Sequence, residues 1–280
     1  MKNILVPCDF SDAAMHAFKF AVEIANKSKG QIHLVHVVEI PVMHDTLLMP
    51  TLNFEEAFLR ETKERAEKDF NKMKAKWAVK GPKINTQVLF GPMAPTILRL
   101  TEEKKADLVV MGTKGASGVQ EIFVGSNTEK IVRRSPVPVM AIKKSTKITG
   151  IKNLVFPTTL QMDEEELTMK VKALQDFFNA KLHLLFVNTP ANFKKDLETH
   201  KELDAFAKRF MLKNYTLNVY NDYAEEDGIR NFVDEVKGDI VAMSTHGRRG
   251  LNHLMAGSIA EDVVNHLECP IWTWRHPNES

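Results

Sequence analysis

The chain repeats itself, and that repetition limits the folds open to it more than any other feature. Residues 2–10 read KNILVPCDF and residues 152–160 read KNLVFPTTL. IHLVHVV at 32–38 returns as LHLLFVN at 182–188, and ADLVVMGTKGASG at 106–118 returns as GDIVAMSTHGRRG at 238–250. VGSNTEKIVRRSPVPVMAI at 124–142 returns as AGSIAEDVVNHLECPIWTW at 256–274. Four blocks matched in the same order are a duplication, so whatever one copy folds into the other must also fold into. The offset falls from 150 residues at the first block to 132 at the third, so the first copy carries extra residues. Some of them lie in EIPVMHDTLLMPTLN (39–53), which contains Pro41 and Pro50 and reads as an excursion or lid. The polar stretch KKSTKITG (143–150) marks the boundary, giving domains at 1–146 and 147–280.

Within each copy, apolar runs of strand length alternate with amphipathic stretches of helix length. In the first copy the pattern predicts strands near 3–8, 32–38, 84–89, 107–112 and 137–142, with helices near 12–28, 54–79, 93–105 and 127–134. Runs such as Leu108-Val109-Val110-Met111 are apolar at every position, as in a parallel strand covered on both faces. Alternating strands and helices imply right-handed βαβ units and a doubly wound α/β layer. The fold expected is two tandem α/β domains, each with a five-stranded parallel sheet and helices on both faces.

In such sheets ligands sit outside the carboxyl ends of the strands. In the first copy those ends carry Asp9, Val37 and Gly112. After the fourth strand comes Gly112-Thr113-Lys114-Gly115, then nine residues, then Gly125-Ser126-Asn127-Thr128 opening a helix. Glycines let backbone approach an anion, the helix start offers unpaired amides and positive dipole, and Ser126 and Thr128 add hydroxyls. By physical criteria this is a phosphate cradle. It is not a Walker A loop, since no lysine follows a glycine pair at the required spacing. Nor is it a dinucleotide fingerprint, since Pro7-Cys8-Asp9 stands where GxGxxG would begin.

The pattern G-x2-G-x9-G-[ST] between strand and helix resembles the nucleotide loop of the universal stress protein family. So do the opening ILVPCDFS (Ile4 to Ser11) and the closing PVPVMAI (Pro136 to Ile142), and the resemblance covers both halves. It implies strand order 3-2-1-4-5 and a site for ATP, with Mg²⁺. By that resemblance Asp9 contacts the ribose and Val37 meets adenine through its backbone. Gly112, Gly115, Gly125, Ser126 and Asn127 would line the triphosphate with Lys114 near it, and Pro7, Met111 and Thr128 are also expected in the nucleotide-binding set. It also implies pairing of last strands, here Val137 to Ile142 against Cys269 to Trp274 within one chain, a pseudo-dimer able to associate further into a homodimer.

The second copy departs at the positions that matter. Ser244 replaces the first glycine, giving Ser244-Thr245-His246-Gly247 before Gly257-Ser258, and Thr159 follows Thr158 where the aspartate stood. Threonine offers no carboxylate to a ribose, so the second site is expected to be degenerate.

The rest of the chain narrows the function. With 44% apolar and 26% charged residues in 280, it has the composition of an ordinary globular protein. A net charge of +2 provides no basic stripe for nucleic acid. No run approaches the roughly 20 apolar residues of a membrane span, and no leader precedes the first strand pattern, so a cytoplasmic location is expected. Cys8 and Cys269 are too few for a disulfide framework or a CxxC metal site, which agrees with a reducing compartment. The ten histidines, His246, His253 and His266 among them, lack metal-ligand spacing, so no metal site is expected. No nucleophile elbow or acid pair appears, and Asp9 is the one carboxylate placed near the cradle; no catalytic residue is assigned. Trp272 and Trp274 share one face of the last strand, and that face is either interdomain core or an outer surface. The reading is an ATP-binding stress-response module that signals to an unidentified protein partner. Its rivals are a ligand-free scaffold and a slow ATPase or phosphotransferase.

Overall fold

A computed structural model describes residues 1–39, 51–77, 81–113, 125–160, 165–245 and 259–275. The first half runs β1 (Asn3–Pro7), α1 (Asp12–Ser28), β2 (Gln31–Val38), α2 (Thr51–Trp77), β3 (Lys83–Phe90), α3 (Met93–Glu103), β4 (Leu108–Gly112), α4 (Ser126–Arg134) and β5 (Val139–Ile142). The second runs β6 (Asn153–Pro157), α5 (Glu165–Phe178), β7 (Lys181–Asn188), α6 (Asp196–Arg209), β8 (Tyr215–Asn221), α7 (Glu225–Val236), β9 (Ile240–Ser244), α8 (Ile259–His266) and β10 (Ile271–Trp274). Each half is a parallel sheet of order 3-2-1-4-5, and the two join into one ten-stranded sheet, β3-β2-β1-β4-β5-β10-β9-β6-β7-β8.

Local chemistry sets the element limits. Ser11 caps α1 by accepting from the Ala14 amide, Asp12 sits in the first turn, and Lys29 ends the helix in the left-handed conformation. β5 begins after Pro138 rather than at Val137, because a proline cannot donate to a ladder. Of the expected excursion, residues 40–50 lie outside the described residues, while 51–53 already belong to α2. The duplication persists in the bonding. Asp107 accepts from the Asn3 amide at 2.8 Å, and Asp239 accepts from the Asn153 amide at 2.9 Å.

Strand residues alternate between the two faces. Ile4, Val6, Leu108 and Val110 pack under α1 and α2, whereas Leu5, Val109 and Met111 pack under α3 and α4. On the α3/α4 face each half has its own core. On the other face a single core runs through both halves. The bridge between them is β5, which pairs antiparallel with β10: Val139 with Thr273, Met140 with Trp272, Ala141 with Ile271. Trp272 and Trp274 are buried in the shared core, which settles the choice left open by their spacing. Phe20 of α1 meets Phe178 of α5 with ring centroids 6.5 Å apart, and Lys27 lies over the Phe177 ring. The connection is tied down where the Ile148 amide donates to Glu23 Oε2 at 2.8 Å.

A fully buried phenylalanine at this junction is expected to stabilise both halves together. Phe20→Ala should lower stability by about 3–5 kcal/mol. In urea denaturation followed by circular dichroism, the loss should appear as one displaced transition; a first half melting away from an unshifted second half would contradict the shared core.

Candidate functional site

At the carboxyl end of the first half's sheet, the ends of β1, β2 and β4 meet the starts of α1, α3 and α4 around a cleft of about 380 Å³. Its β1 wall rests on a strained turn. Phe10 adopts φ of 64°, a left-handed conformation that costs a bulky residue about 1–3 kcal/mol. Its ring is held between His36, at 5.0 Å, and Phe70 of α2, at 5.1 Å. The turn lets Asp9 Oδ1 accept from the Ser11 amide at 3.0 Å while Ser11 caps α1. Leu160 has φ of 63° in the second copy, where its amide donates to Thr158 Oγ1 at 3.0 Å. The strained turn therefore belongs to both copies; the aspartate belongs to one.

On the β2 wall, His36 Nδ1 lies 2.8 Å from the Cys8 carbonyl oxygen. A carbonyl only accepts, so Nδ1 carries the proton in that bond. Burial pushes the Cys8 thiol up to about 12, and Cys269 rises to about 12 for the same reason. Neither is a nucleophile at neutral pH.

The β4 end is fixed by close packing. A Cβ at Gly112 would lie 2.7 Å from the Ala13 carbonyl carbon and 2.8 Å from its oxygen, so α1 demands glycine there. Thr128 Oγ1 donates to the Gly112 carbonyl at 3.1 Å and pins the start of α4 to the strand. The Gly125 amide donates to the Thr113 carbonyl at 2.9 Å, and the Thr128 and Glu129 amides turn back to the Gly125 carbonyl. The N-cap residue of α4 is Gly125, which offers no side-chain cap. Ser126 and Asn127 remain as first-turn residues on the cleft wall, where amides have no intrahelical partner.

The two helix starts differ in charge. The first turn of α3 holds no acidic residue, and Glu39, at the end of β2, accepts from the Met93 amide with Oε1 at 3.0 Å. The α3 start is thus met by a carboxylate from another element, while α4 carries its own acid, Glu129, in its first turn and presents Ser126 and Asn127 on the cleft wall. Val35, Val37, Met93 and Met111 give the other wall apolar surface, beside His36 and Glu39.

The structure brings together Pro7, Asp9, Val37, Met111 and Gly112 from the strand ends with Gly125, Ser126, Asn127 and Thr128 from α4. Lys114 and Gly115 lie outside the described residues. Thr128 differs from its expected part: its hydroxyl hydrogen goes to Gly112, so it positions the cradle. Sequence reasoning missed His36, Glu39 and Met93. The first two could have been found as strand-end neighbours of Val37, but nothing in the sequence aims α3 at the cleft.

The corresponding end of β7 in the second half is filled by protein. Val187, Asn188 and Thr189 are buried, and a Cβ at Gly228 would sit 2.5 Å from Val187 Cγ1, so α7 lies directly on the strand. Asn188 accepts from the Lys194 amide at 2.8 Å and donates to Asn221 Oδ1 at 2.9 Å, and Lys194 Nζ stands 5.4 Å from the Phe186 ring centroid. His246, Gly247, His253, Gly257 and Ser258 lie outside the described residues. Among the described residues no three His, Cys, Asp or Glu side chains are placed to hold a metal, and no helix is long and apolar enough to cross a membrane.

Comparison with known proteins agrees with this architecture. A model of the universal stress protein family matches residues 1–143 and again 150–275. A universal stress protein of Methanocaldococcus jannaschii is 34% identical over 146 residues, 52% of this chain and 84% of that protein. One from Bacillus subtilis is 30% identical over 145 residues, 50% of this chain and 98% of its own. A crystal structure of a universal stress protein from Archaeoglobus fulgidus superposes with a TM-score of 0.76 at 17% identity, covering 99% of this chain and 97% of that one. At that identity the likeness speaks for the fold.

Two outcomes follow from the packing. Gly112→Ala should cost about 1–3 kcal/mol in chemical denaturation, because backbone of α1 must move to admit the methyl group; an unchanged midpoint would contradict the close approach. For the thiols, an ordinary value of 9.0 rises to about 12 on folding. Their neutral forms therefore contribute stability that is intact below pH 9.0 and declines as pH climbs toward about 12. The Cys8→Ala/Cys269→Ala variant should lose less stability than wild type across that window when urea midpoints are compared.

Proposed function

The chain belongs to the universal stress protein family, with two such domains in tandem, and on that premise we propose that its first half binds ATP, with Mg²⁺, in the cleft described above. The observation that carries the reading is the polarity of the cleft: one end is a helix start without a side-chain cap and the other offers apolar surface. An anionic chain is stabilised at the α4 start by amides and dipole, and there Ser126 and Asn127 would hold phosphate oxygens. The opposite end suits a flat base, which would lie against Val35, Val37 and Met93. Asp9, on the β1 wall, would meet the sugar. The cleft volume falls in the ~300–1,000 Å³ range of small-molecule sites.

The donor set fits the metal in one way only. Asp9 and Glu39 are the carboxylates on the wall, and no group of three ligands exists among the described residues, so Mg²⁺ would travel on the phosphates. The same scarcity of acid and base groups argues for a binding module rather than a dedicated phosphotransferase. Two free cysteines fit the reducing cytoplasm expected from the sequence. In the second half, Thr159 replaces Asp9, and Asn188, Val187 and Gly228 close the strand end, which supports a degenerate site there. We read the nucleotide as the signal and a protein surface as the output.

Calorimetric titration of Mg-ATP into nucleotide-stripped protein tests this directly. One site per chain is expected, abolished in Gly115→Val and retained in Gly247→Val. Asp9→Ala should weaken binding by about 1–3 kcal/mol, the scale of a lost hydrogen bond to a charged group. Two equal sites, or loss only in Gly247→Val, would contradict the asymmetry. No binding to stripped wild type would leave a scaffold.

A further inference from the structure

We propose that Glu39 is a specificity-determining residue, one that makes the base end of the cleft reject negatively charged bases. The inference rests on the nucleotide reading, which places phosphates at α4 and the base toward β2 and α3. Of the three helix starts that meet this cleft, α1 is capped by Ser11 and carries Asp12, and α4 carries Glu129 in its first turn. At the α3 start Pro92 provides no side-chain cap and the first turn has no acid, so the sequence itself supplies nothing to balance the dipole.

Glu39 supplies it from another element. Its Oε1 accepts from the Met93 amide at 3.0 Å, across a separation of 54 residues, and both residues line the cleft. The second copy shows what this replaces. There α7 carries Glu225, Glu226 and Asp227 in its own first turn, and the residue matching Glu39 is Thr189, buried. The carboxylate at the end of β2 therefore has no counterpart at the end of β7, where the matching helix brings its own acids.

The consequence for a ligand is chemical. A carboxylate is an acceptor only, and it already occupies the amide that a second anionic group would seek. A base edge bearing N–H donors can approach it; a ring carrying negative charge meets repulsion at short range. Because Glu39 is exposed, solvent weakens that repulsion to a modest factor rather than an absolute bar.

The test compares Mg-ATP with the magnesium complex of xanthosine triphosphate, whose base is anionic at neutral pH, by calorimetry at low salt. Wild type should favour ATP by about tenfold or more, the effect of roughly one such repulsion. Glu39→Gln keeps an oxygen for the Met93 amide and removes the charge. It should strengthen xanthosine triphosphate binding relative to ATP, bringing the ratio down by about fivefold to tenfold. Glu39→Asp, which keeps the charge, should keep the preference. A role confined to capping α3 would alter both affinities alike and leave their ratio fixed. ATP binding with the same ratio in wild type and Glu39→Gln overturns this inference alone. Absence of ATP binding by wild type overturns the nucleotide reading and this inference with it.

Discussion

The antiparallel pairing of β5 with β10 is the contact on which the rest of the molecule depends. Each half alone would end its sheet on a short strand with an unpaired edge, a template for pairing with other chains. Joining the two edges removes that exposure and buries Met140 and Trp272 in one continuous core. Because the strands meet head to tail, the carboxyl ends of the two halves point in opposite directions. The ligand-binding ends are thereby separated, and each is built from its own half's elements. The shared core is the physical link between them.

Several residues at the first cleft serve the fold and the cleft together. Gly112 is required by the approach of Ala13, whatever lies in the cleft. Thr128 uses its hydroxyl to register α4 against β4, and Phe10 holds a costly turn by wedging between His36 and Phe70. The precision of the cradle therefore comes from side chains that need never touch a ligand. The two copies divide on this point. The strained turn survives in the second half as Leu160, whereas the pin at Thr128 becomes Ala260, buried among apolar neighbours. What the fold needs is kept; what only aims a helix start has been let go.

The sequence was most legible where one physical rule acted alone. Apolar runs of strand length located β1 to β4 within a residue or two, because a strand covered on both faces leaves no room for polar side chains. The limit at β5 was misplaced because Val137 looks like a strand residue and Pro138 decides otherwise. The cleft was legible at the ends of β1 and β4, where glycines and Asp9 stand out. It was illegible on the α3 side. Met93 and Glu39 are 54 residues apart, and their meeting depends on how a helix lies across a sheet. The burial of Trp272 and Trp274 was equally hidden, since period-two alternation assigns a shared face but not what covers it.

The second half shows how the end of one strand can be satisfied by the chain itself. Asn188 spends its amide on Lys194 and Asn221, and α7 lies against Val187 through Gly228. Those bonds satisfy buried polar groups that a ligand would otherwise have to meet, so the strand end is stable when filled by the chain itself. Meanwhile β6 to β10 still complete the sheet, and α5 still packs Phe178 against Phe20. The half persists because the first half's core extends into it.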